Sequence, residues 1–317
     1  MVTETKDLKI TYTTMSLEQA GAFNRAFDSA LNTVMGSLGR DYPVYIGGRE
    51  LRPSGETFED RSPNDTRVLL GRFADVGDSE AQAAIGAARA AFGEWSHTPW
   101  QERLRILRRA AENFRDRKYE IGAWLAMEAG KTRLEAMGEV EEAIDLITVY
   151  SEQMEANNGF VKPMGQLSPQ EVNKSVLRPY GVWAVIAPFN FPVALATGML
   201  AGALIGGNTV VFKPSHETAL SGYLVYKCLA DAGLPAGAVN FVTGYGARLG
   251  EALSGTQDIE GIAFIGSRAV GCHIYSEFSS QRPRPCIAEM GGKNPVIVTD
   301  SADLDKAVEG TVRAAFG

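Results

Sequence analysis

The sequence predicts an α/β fold built on a doubly wound parallel sheet, and three observations predict it. From Gly181 onward, apolar runs alternate with segments of helical period. Val182-Trp-Ala-Val-Ile-Ala, Thr209-Val-Val-Phe, residues 239–242 and Ile262-Ala-Phe-Ile are separated by helical stretches over 192–206, over 217–232 and from Ala247, with another from Ser267. The first run is continuously apolar, as expected of a strand buried on both faces. At 317 residues, 45% hydrophobic and 22% charged, the chain has an ordinary globular composition and can bury a large core in more than one lobe.

The elements before Gly181 follow from local chemistry. Residues 1–42 read as an N-terminal helical extension, with a helix over 17–38 that ends near Gly39. Val44 to Ile46, entered through Pro43, form a short strand, and Gly47-Gly48 a hairpin corner. Ser62-Pro-Asn-Asp is a turn cluster and Val68-Leu-Leu-Gly-Arg-Phe a second strand. From Asp78 the pattern is helical: Ala81, Ala84, Ile85, Ala88, Ala91 and Phe92 recur mostly every three or four residues, and Asp78, Ser79 and Glu80 offer capping groups. A long helix is predicted over 101–127, with Leu104, Leu107, Phe114 and Ile121 on its apolar side and Gly130 as its breaker. The next helix, over 134–154, carries Glu135, Glu139, Glu141, Glu142 and Asp145 on a face expected to meet solvent. Residues 157–179, rich in Asn, Gly, Pro and Gln, read as an excursion between lobes, an extended hairpin arm. Pro295-Val-Ile-Val is strand-like.

A net charge of −7 with no basic block argues against nucleic acid as the main partner. The apolar run over 193–207 is too short to span a bilayer, and the N-terminus lacks the apolar core of a signal peptide, so no membrane partner is expected and the cytosol is the expected compartment. Cys228, Cys272 and Cys286 form no CxxC pair and His97, His216 and His273 are scattered, so neither a disulfide framework nor a metal site is expected.

In an open parallel sheet, ligands sit at the carboxyl ends of the strands, and four such ends carry candidate groups. Asn190, in Pro188-Phe-Asn-Phe-Pro, could donate its amide to a developing oxyanion or simply belong to a turn between two prolines. Lys213 could donate to ribose hydroxyls or a nucleotide phosphate, or snorkel at the surface. Gly244-Tyr-Gly-Ala-Arg-Leu-Gly250 approaches the dinucleotide fingerprint with its last spacing one residue too long, and a glycine-rich turn without a ligand fits equally. Ser267, followed by Gly271, stands where it would cap a helix whose exposed N–H groups could receive a pyrophosphate; capping alone also explains it. Gly130-Lys-Thr lacks the upstream glycine of a P-loop and follows a helix.

Glu289, beside Gly291 and Gly292 in Ile287-Ala-Glu-Met-Gly-Gly-Lys-Asn, is a candidate general base. Apolar surroundings would raise its pKa by desolvation; the plainer reading is a solvated glutamate at a surface turn.

Taken in order from about Val44 to Gly317, these residues resemble the NAD(P)-dependent aldehyde dehydrogenase superfamily. Glu128-Ala-Gly-Lys-Thr, Glu141-Glu-Ala-Ile-Asp, Thr197-Gly-Met and the ending Ala314-Ala-Phe-Gly look like its 1-pyrroline-5-carboxylate (glutamate γ-semialdehyde) dehydrogenases. The resemblance implies a Rossmann-like cofactor domain in two parts, 43–157 and 179–289, an oligomerisation arm over 158–178 that makes a homo-oligomer, and the start of an α/β catalytic domain over 290–317. It implies that Asn190 holds the oxyanion, Glu289 is the base for thioester hydrolysis, Lys213 binds the adenine ribose and Ser267 the pyrophosphate. Ala187, Pro188, Phe189, Ser215, His216, Gly246, Gly250, Phe264, Gly266, Gly271, Met290 and Gly291 would complete the NAD site. A cysteine thiolate would attack the aldehyde substrate, the thiohemiacetal would pass hydride to nicotinamide, and water would release the acid.

Two departures carry consequences. Where the family commonly has a glutamate gripping both ribose hydroxyls, this chain has His216, with Glu217 one place later; a histidine does not repel a 2′-phosphate, so NADP use is expected beside NAD. The family nucleophile is expected just beyond Gly317, and none of the three cysteines takes its place, so the chain alone is expected to be inactive. A cofactor-binding fragment without turnover, and an aldehyde dehydrogenase of other substrate class, are the alternatives.

Overall fold

The computed structural model describes residue 9, residues 17–52 and residues 55–316. Helix α1 (Leu17–Met35) is followed by strands β1 (Arg40–Tyr42), β2 (Val44–Ile46), β3 (Arg49–Leu51), β4 (Thr57–Arg61) and β5 (Leu69–Ala74). Four helices follow: α2 (Asp78–Trp95), α3 (Trp100–Asp116), α4 (Lys118–Glu128) and α5 (Arg133–Ala156). A two-stranded arm, β6 (Val161–Pro163) with β7 (Lys174–Val176), precedes the alternating half. That half runs β8 (Val182–Ile186), α6 (Ala194–Ile205), β9 (Thr209–Lys213), α7 (Ala219–Ala230), β10 (Val239–Phe241), α8 (Glu251–Gly255), β11 (Gly261–Gly266), α9 (Arg268–Phe278), β12 (Cys286–Met290) and α10 (Leu304–Phe316).

The main sheet has the order β12-β11-β8-β9-β10-β2-β3. Its first five strands are parallel, and β2 and β3 extend it as an antiparallel edge. The chain winds from β8 through β9 to β10, then returns to the other side of β8 for β11 and β12. The doubly wound expectation is met, and the winding reverses between β8 and β11. Successive residues of β8 point to opposite layers. Trp183 and Val185 join the core formed with α3, α5, α6 and α7; Val182, Ala184 and Ile186 join the core formed with α2, α8 and α9. Every residue of β8 and β9 is buried, which is why both read as unbroken apolar runs.

Several local expectations are corrected. The predicted helix over 101–127 is two helices, meeting at Arg117 (φ −104°, ψ 9°). One face of α3 is buried, whereas α4 is buried nearly all round, and the non-helical backbone at Arg117 separates the two. The acidic face of α5 is not wholly solvated: Glu139 and Glu141 are buried. Each has a cationic partner from another element, Lys131 at 2.8 Å and Lys118 at 3.0 Å, and a charge is tolerated inside only when so paired. Residues 295–298 form no strand and expose Val296, Ile297 and Val298; among the described residues they have no ladder partner. The strand in this region is β12, one stretch earlier, paired along its length with β11. The stretch from Ala247 begins as a single wide turn over Gly246–Gly250 before α8, and a 3-10 turn, His216–Thr218, precedes α7.

Candidate cofactor and active site

Between the carboxyl ends of β8 and β9 and the helices α8 and α9 lies a cavity of about 420 Å³, whose walls include Ile186, Lys213, Gly246, Gly250, Val270 and His273. It sits beside the reversal point of the sheet, where an open α/β fold leaves a crevice because successive crossovers diverge. Lys213 ends β9 and is only 4% exposed; its Nζ donates to the Pro214 carbonyl at 3.1 Å. Burial pushes its pKa down to about 8, against the pull of the Asp75 carboxylate. A cation is held inside this crevice rather than snorkelling from it.

Gly246 and Gly250 also face the cavity, and a Cβ on either would meet no atom within 4 Å. Their smallness is not consumed by the protein's own packing, so it leaves wall space open. Ser267 caps α9: its Oγ accepts from the Val270 N–H at 3.3 Å, and Gly271 N–H bonds the Ser267 carbonyl. The open end of an eleven-residue helix thus lies at the carboxyl end of β11, beside the cavity.

Gly266, Gly271, Phe264 and Met290 have a packing role. A Cβ at Gly271 would come within 2.5 Å of Met290 Sδ and 3.0 Å of Phe264, and one at Gly266 within 2.6 Å of Phe264. The glycines let α9 lie close on β11 and β12, which sets where the Ser267 cap is held. Gly291 is exposed in the turn that follows.

Ser215 caps the 3-10 turn, accepting from Glu217 N–H at 3.3 Å. His216 is half-exposed, with its Nε2 at 3.1 Å from Glu217 and its ring 4.7 Å from that of Tyr245 and 6.2 Å from that of Phe58. It stands beside the glycine turn that Tyr245 leads into, outside the walls of the cavity itself.

Residues 187–193 join β8 to α6. Ala187 and Pro188 are buried, Ala187 N–H bonding the Lys213 carbonyl at 3.0 Å, while Phe189 and Asn190 are exposed. The Asn190 amide makes no hydrogen bond among the described residues. Glu289 lies on β12 in register with Ile265, and Ile186 is in register with Phe264, so the ends of β8 and β12 are level on either side of β11. That places them about 10 Å apart across the sheet. Glu289 is exposed, not enclosed by apolar side chains as the desolvated reading required. Its side chain opens on a groove of about 390 Å³ on the α5–α6 face of the sheet, with Tyr150, Leu195, Gly198, Met199 and Ile287 among the walls.

Cys286 and Ala288 point to the opposite layer from Glu289, packed against the core of α2, α8 and α9, and burial raises the Cys286 thiol pKa. Cys228 is buried on α7, its thiol pushed up to about 12 by burial, and Cys272 lies exposed on α9. Among the described residues no cluster of three His, Cys, Asp or Glu could hold a metal, and no helix is long and apolar enough to cross a membrane.

Sequence reasoning missed Glu251, Val270 and His273 as cavity residues. His273 Nε2 lies 2.9 Å from Glu251 Oε1, joining α9 to α8 across the wall. Stepping by helical turns from the Ser267 cap reaches Val270 and His273 and could have found both.

Residues 51–317 match the sequence model of the aldehyde dehydrogenase family. A 1-pyrroline-5-carboxylate dehydrogenase of Geobacillus kaustophilus is 39% identical over 302 residues, which cover 93% of this chain and 58% of that protein. Among solved structures, a 1-pyrroline-5-carboxylate dehydrogenase from Thermus with bound NAD superposes with a TM-score of 0.89 at 37% identity, covering 96% of this chain and 59% of that one. An NADP-dependent glyceraldehyde-3-phosphate dehydrogenase from Bacillus halodurans, complexed with NADP, gives 0.81 at 32% identity, over 87% and 58%. The chain therefore spans somewhat over half the length of the relatives it matches.

Proposed function

The chain belongs to the aldehyde dehydrogenase family, and from that premise we propose that the whole protein oxidises L-glutamate γ-semialdehyde to L-glutamate with a nicotinamide dinucleotide. The observation that carries the reading is the crevice at the reversal point, with a buried lysine and a capped helix N-terminus beside it, and Asn190 and Glu289 at the ends of β8 and β12, the strands that flank β11. The donor set fits a dinucleotide: Lys213 offers an ammonium for ribose hydroxyls, the N–H groups behind Ser267 take a pyrophosphate, and Gly246 and Gly250 leave room. When bound, the nicotinamide supplies a hydride acceptor. Asn190, whose amide has no partner among the described residues, donates to the oxyanion that forms when a thiolate adds to the aldehyde. Glu289, solvated on its groove, takes a proton from the water that hydrolyses the thioester. On this reading the thiolate is none of Cys228, buried on α7, Cys272, exposed on α9, and Cys286, which points to the opposite layer from Glu289.

The finer assignments follow the same reading. Residues 43–157 and 179–289 form the cofactor domain and 290–317 begin the catalytic domain; of the N-terminal extension expected over 1–42, residues 1–8 and 10–16 lie outside the described residues. The arm over 158–178, on which Leu167 and Val172 are 96% and 76% exposed, joins copies into a homo-oligomer in the cytosol. His216, near the cavity rather than in it, admits NADP beside NAD. The test is to follow nicotinamide reduction by the whole protein with glutamate γ-semialdehyde against acetaldehyde and succinate semialdehyde. The expected preference in kcat/KM is for the five-carbon amino acid aldehyde; equal or lower kcat/KM with it overturns the substrate assignment.

A further inference from the structure

We propose that Lys131 and Glu139 are positioning residues that fix the Asn190 loop from beneath, an inference that rests on Asn190 being the oxyanion donor. Helix α6 starts immediately after this loop, and its first N–H groups need partners. They find them on another element: Glu139 of α5, fully buried, accepts from Val193 N–H at 2.7 Å and from Ala194 N–H at 3.2 Å through one oxygen. Its second oxygen meets Lys131 Nζ at 2.8 Å. The same ammonium stands 3.3 Å from the centroid of the Phe191 ring, the side chain next to Asn190. Lys131 reaches this place from the turn between α4 and α5, where Gly130 takes φ +68°, and its side chain is only 10% exposed.

Three attachments therefore hold seven residues. Ala187 is tied to β9 through the Lys213 carbonyl, Phe191 is covered by the Lys131 ammonium, and Val193 is bonded to Glu139. Asn190 lies among them, exposed and with no hydrogen bond to its amide among the described residues. An amide aimed by its neighbours and not by a bond of its own costs no rearrangement when an oxyanion forms, which is what makes such a donor effective. A buried carboxylate at a helix N-terminus and a cation over an aromatic face each favour the arrangement electrostatically. The two charges also need each other: Glu139 without Lys131 is a buried anion with only backbone donors. The Gly130-Lys-Thr stretch, no phosphate loop, thus has a different use for its lysine.

The test compares Lys131→Met, which keeps the apolar stem and removes the charge, with Lys131→Arg, which restores it. Hydrogen–deuterium exchange of the peptide over 187–195 is read beside turnover by the whole protein and its dinucleotide dissociation constant. In Lys131→Met the peptide should exchange several-fold faster while peptides of α7 and β9 do not change. Its kcat should fall about 10- to 100-fold, the size expected when a catalytic group is misplaced by an ångström, with the dissociation constant unchanged and Lys131→Arg recovering most of the loss. Unchanged exchange over 187–195 overturns the proposal whether or not the protein oxidises an aldehyde. Faster exchange with unaltered kcat overturns it too, as does a loss of kcat accompanied by equal loosening of α7 and β9. A wild-type protein with no aldehyde oxidation would instead sink the functional reading, leaving the exchange result to decide what holds the loop.

Discussion

Replacing Lys213 by Met should make the protein more stable and a poorer binder of dinucleotide. The side chain is almost fully enclosed, and burial lowers its pKa from 10.5 to about 8. At about 1.4 kcal/mol per pH unit, holding that ammonium charged inside the fold costs about 3 kcal/mol at neutral pH. Met keeps the stem and loses the charge, along with the bond to the Pro214 carbonyl, worth about 1 kcal/mol. The net expectation is a gain of about 2 kcal/mol at pH 7. The sign of the pH dependence follows from proton counting. Below pH 8 the lysine is charged in folded and unfolded chains alike, and the full cost is present. Between 8 and 10.5 the unfolded chain keeps a proton that the folded chain has shed, so wild-type stability rises with pH; above 10.5 the cost is gone. Urea denaturation of both proteins at pH 7 and pH 10.5 measures this. The advantage of Lys213→Met should be largest at pH 7 and vanish or reverse at pH 10.5, while its dinucleotide affinity falls at both. A variant less stable at pH 7, or a difference independent of pH, would refute the reasoning.

Asp60 and Glu128 form a buried carboxyl pair in which desolvation, and then each other's proximity for Asp60, raises the pKa. A raised carboxyl favours the folded state at low pH and costs stability as pH climbs above its unfolded value, so Asp60→Asn should gain on wild type from pH 4 to pH 9 in thermal melts. Gly271→Val drives a branched side chain into Met290 and Phe264; overpacking of this kind costs about 1–3 kcal/mol, and by lifting α9 it should weaken dinucleotide binding in a fluorescence titration. His216→Glu should raise the dissociation constant for NADP relative to NAD, because a carboxylate there repels a 2′-phosphate; an unchanged ratio removes His216 from cofactor choice.

What could be read from the sequence was local. The apolar runs of β8 and β9 and the alternation after Gly181 gave the doubly wound sheet, because burial on both faces writes itself into consecutive residues. Strand β12 was missed because it is a half-exposed edge strand: Glu289 and the glycines after it look like a turn until the pairing with β11 is seen. The break at Arg117 contains neither Gly nor Pro, and it is set by what α3 and α4 each pack against. Periodicity alone puts Glu139 on a solvent face, because its partners, Lys131 and the start of α6, come from other parts of the chain. The close packing of Gly271 on Met290 is equally silent in the sequence, because nineteen positions separate the two residues and only the pairing of β12 with β11 brings them together.

The most direct test of the account is rapid mixing of the whole protein carrying Glu289→Gln with glutamate γ-semialdehyde and NAD. If Asn190 serves the first half-reaction and Glu289 only the second, the variant should reduce one equivalent of NAD per site at close to the wild-type rate. It should then stall at a steady rate about 100-fold or more below wild type, the scale of a lost general base. Steady turnover at the wild-type rate, or no first equivalent at all, would contradict it.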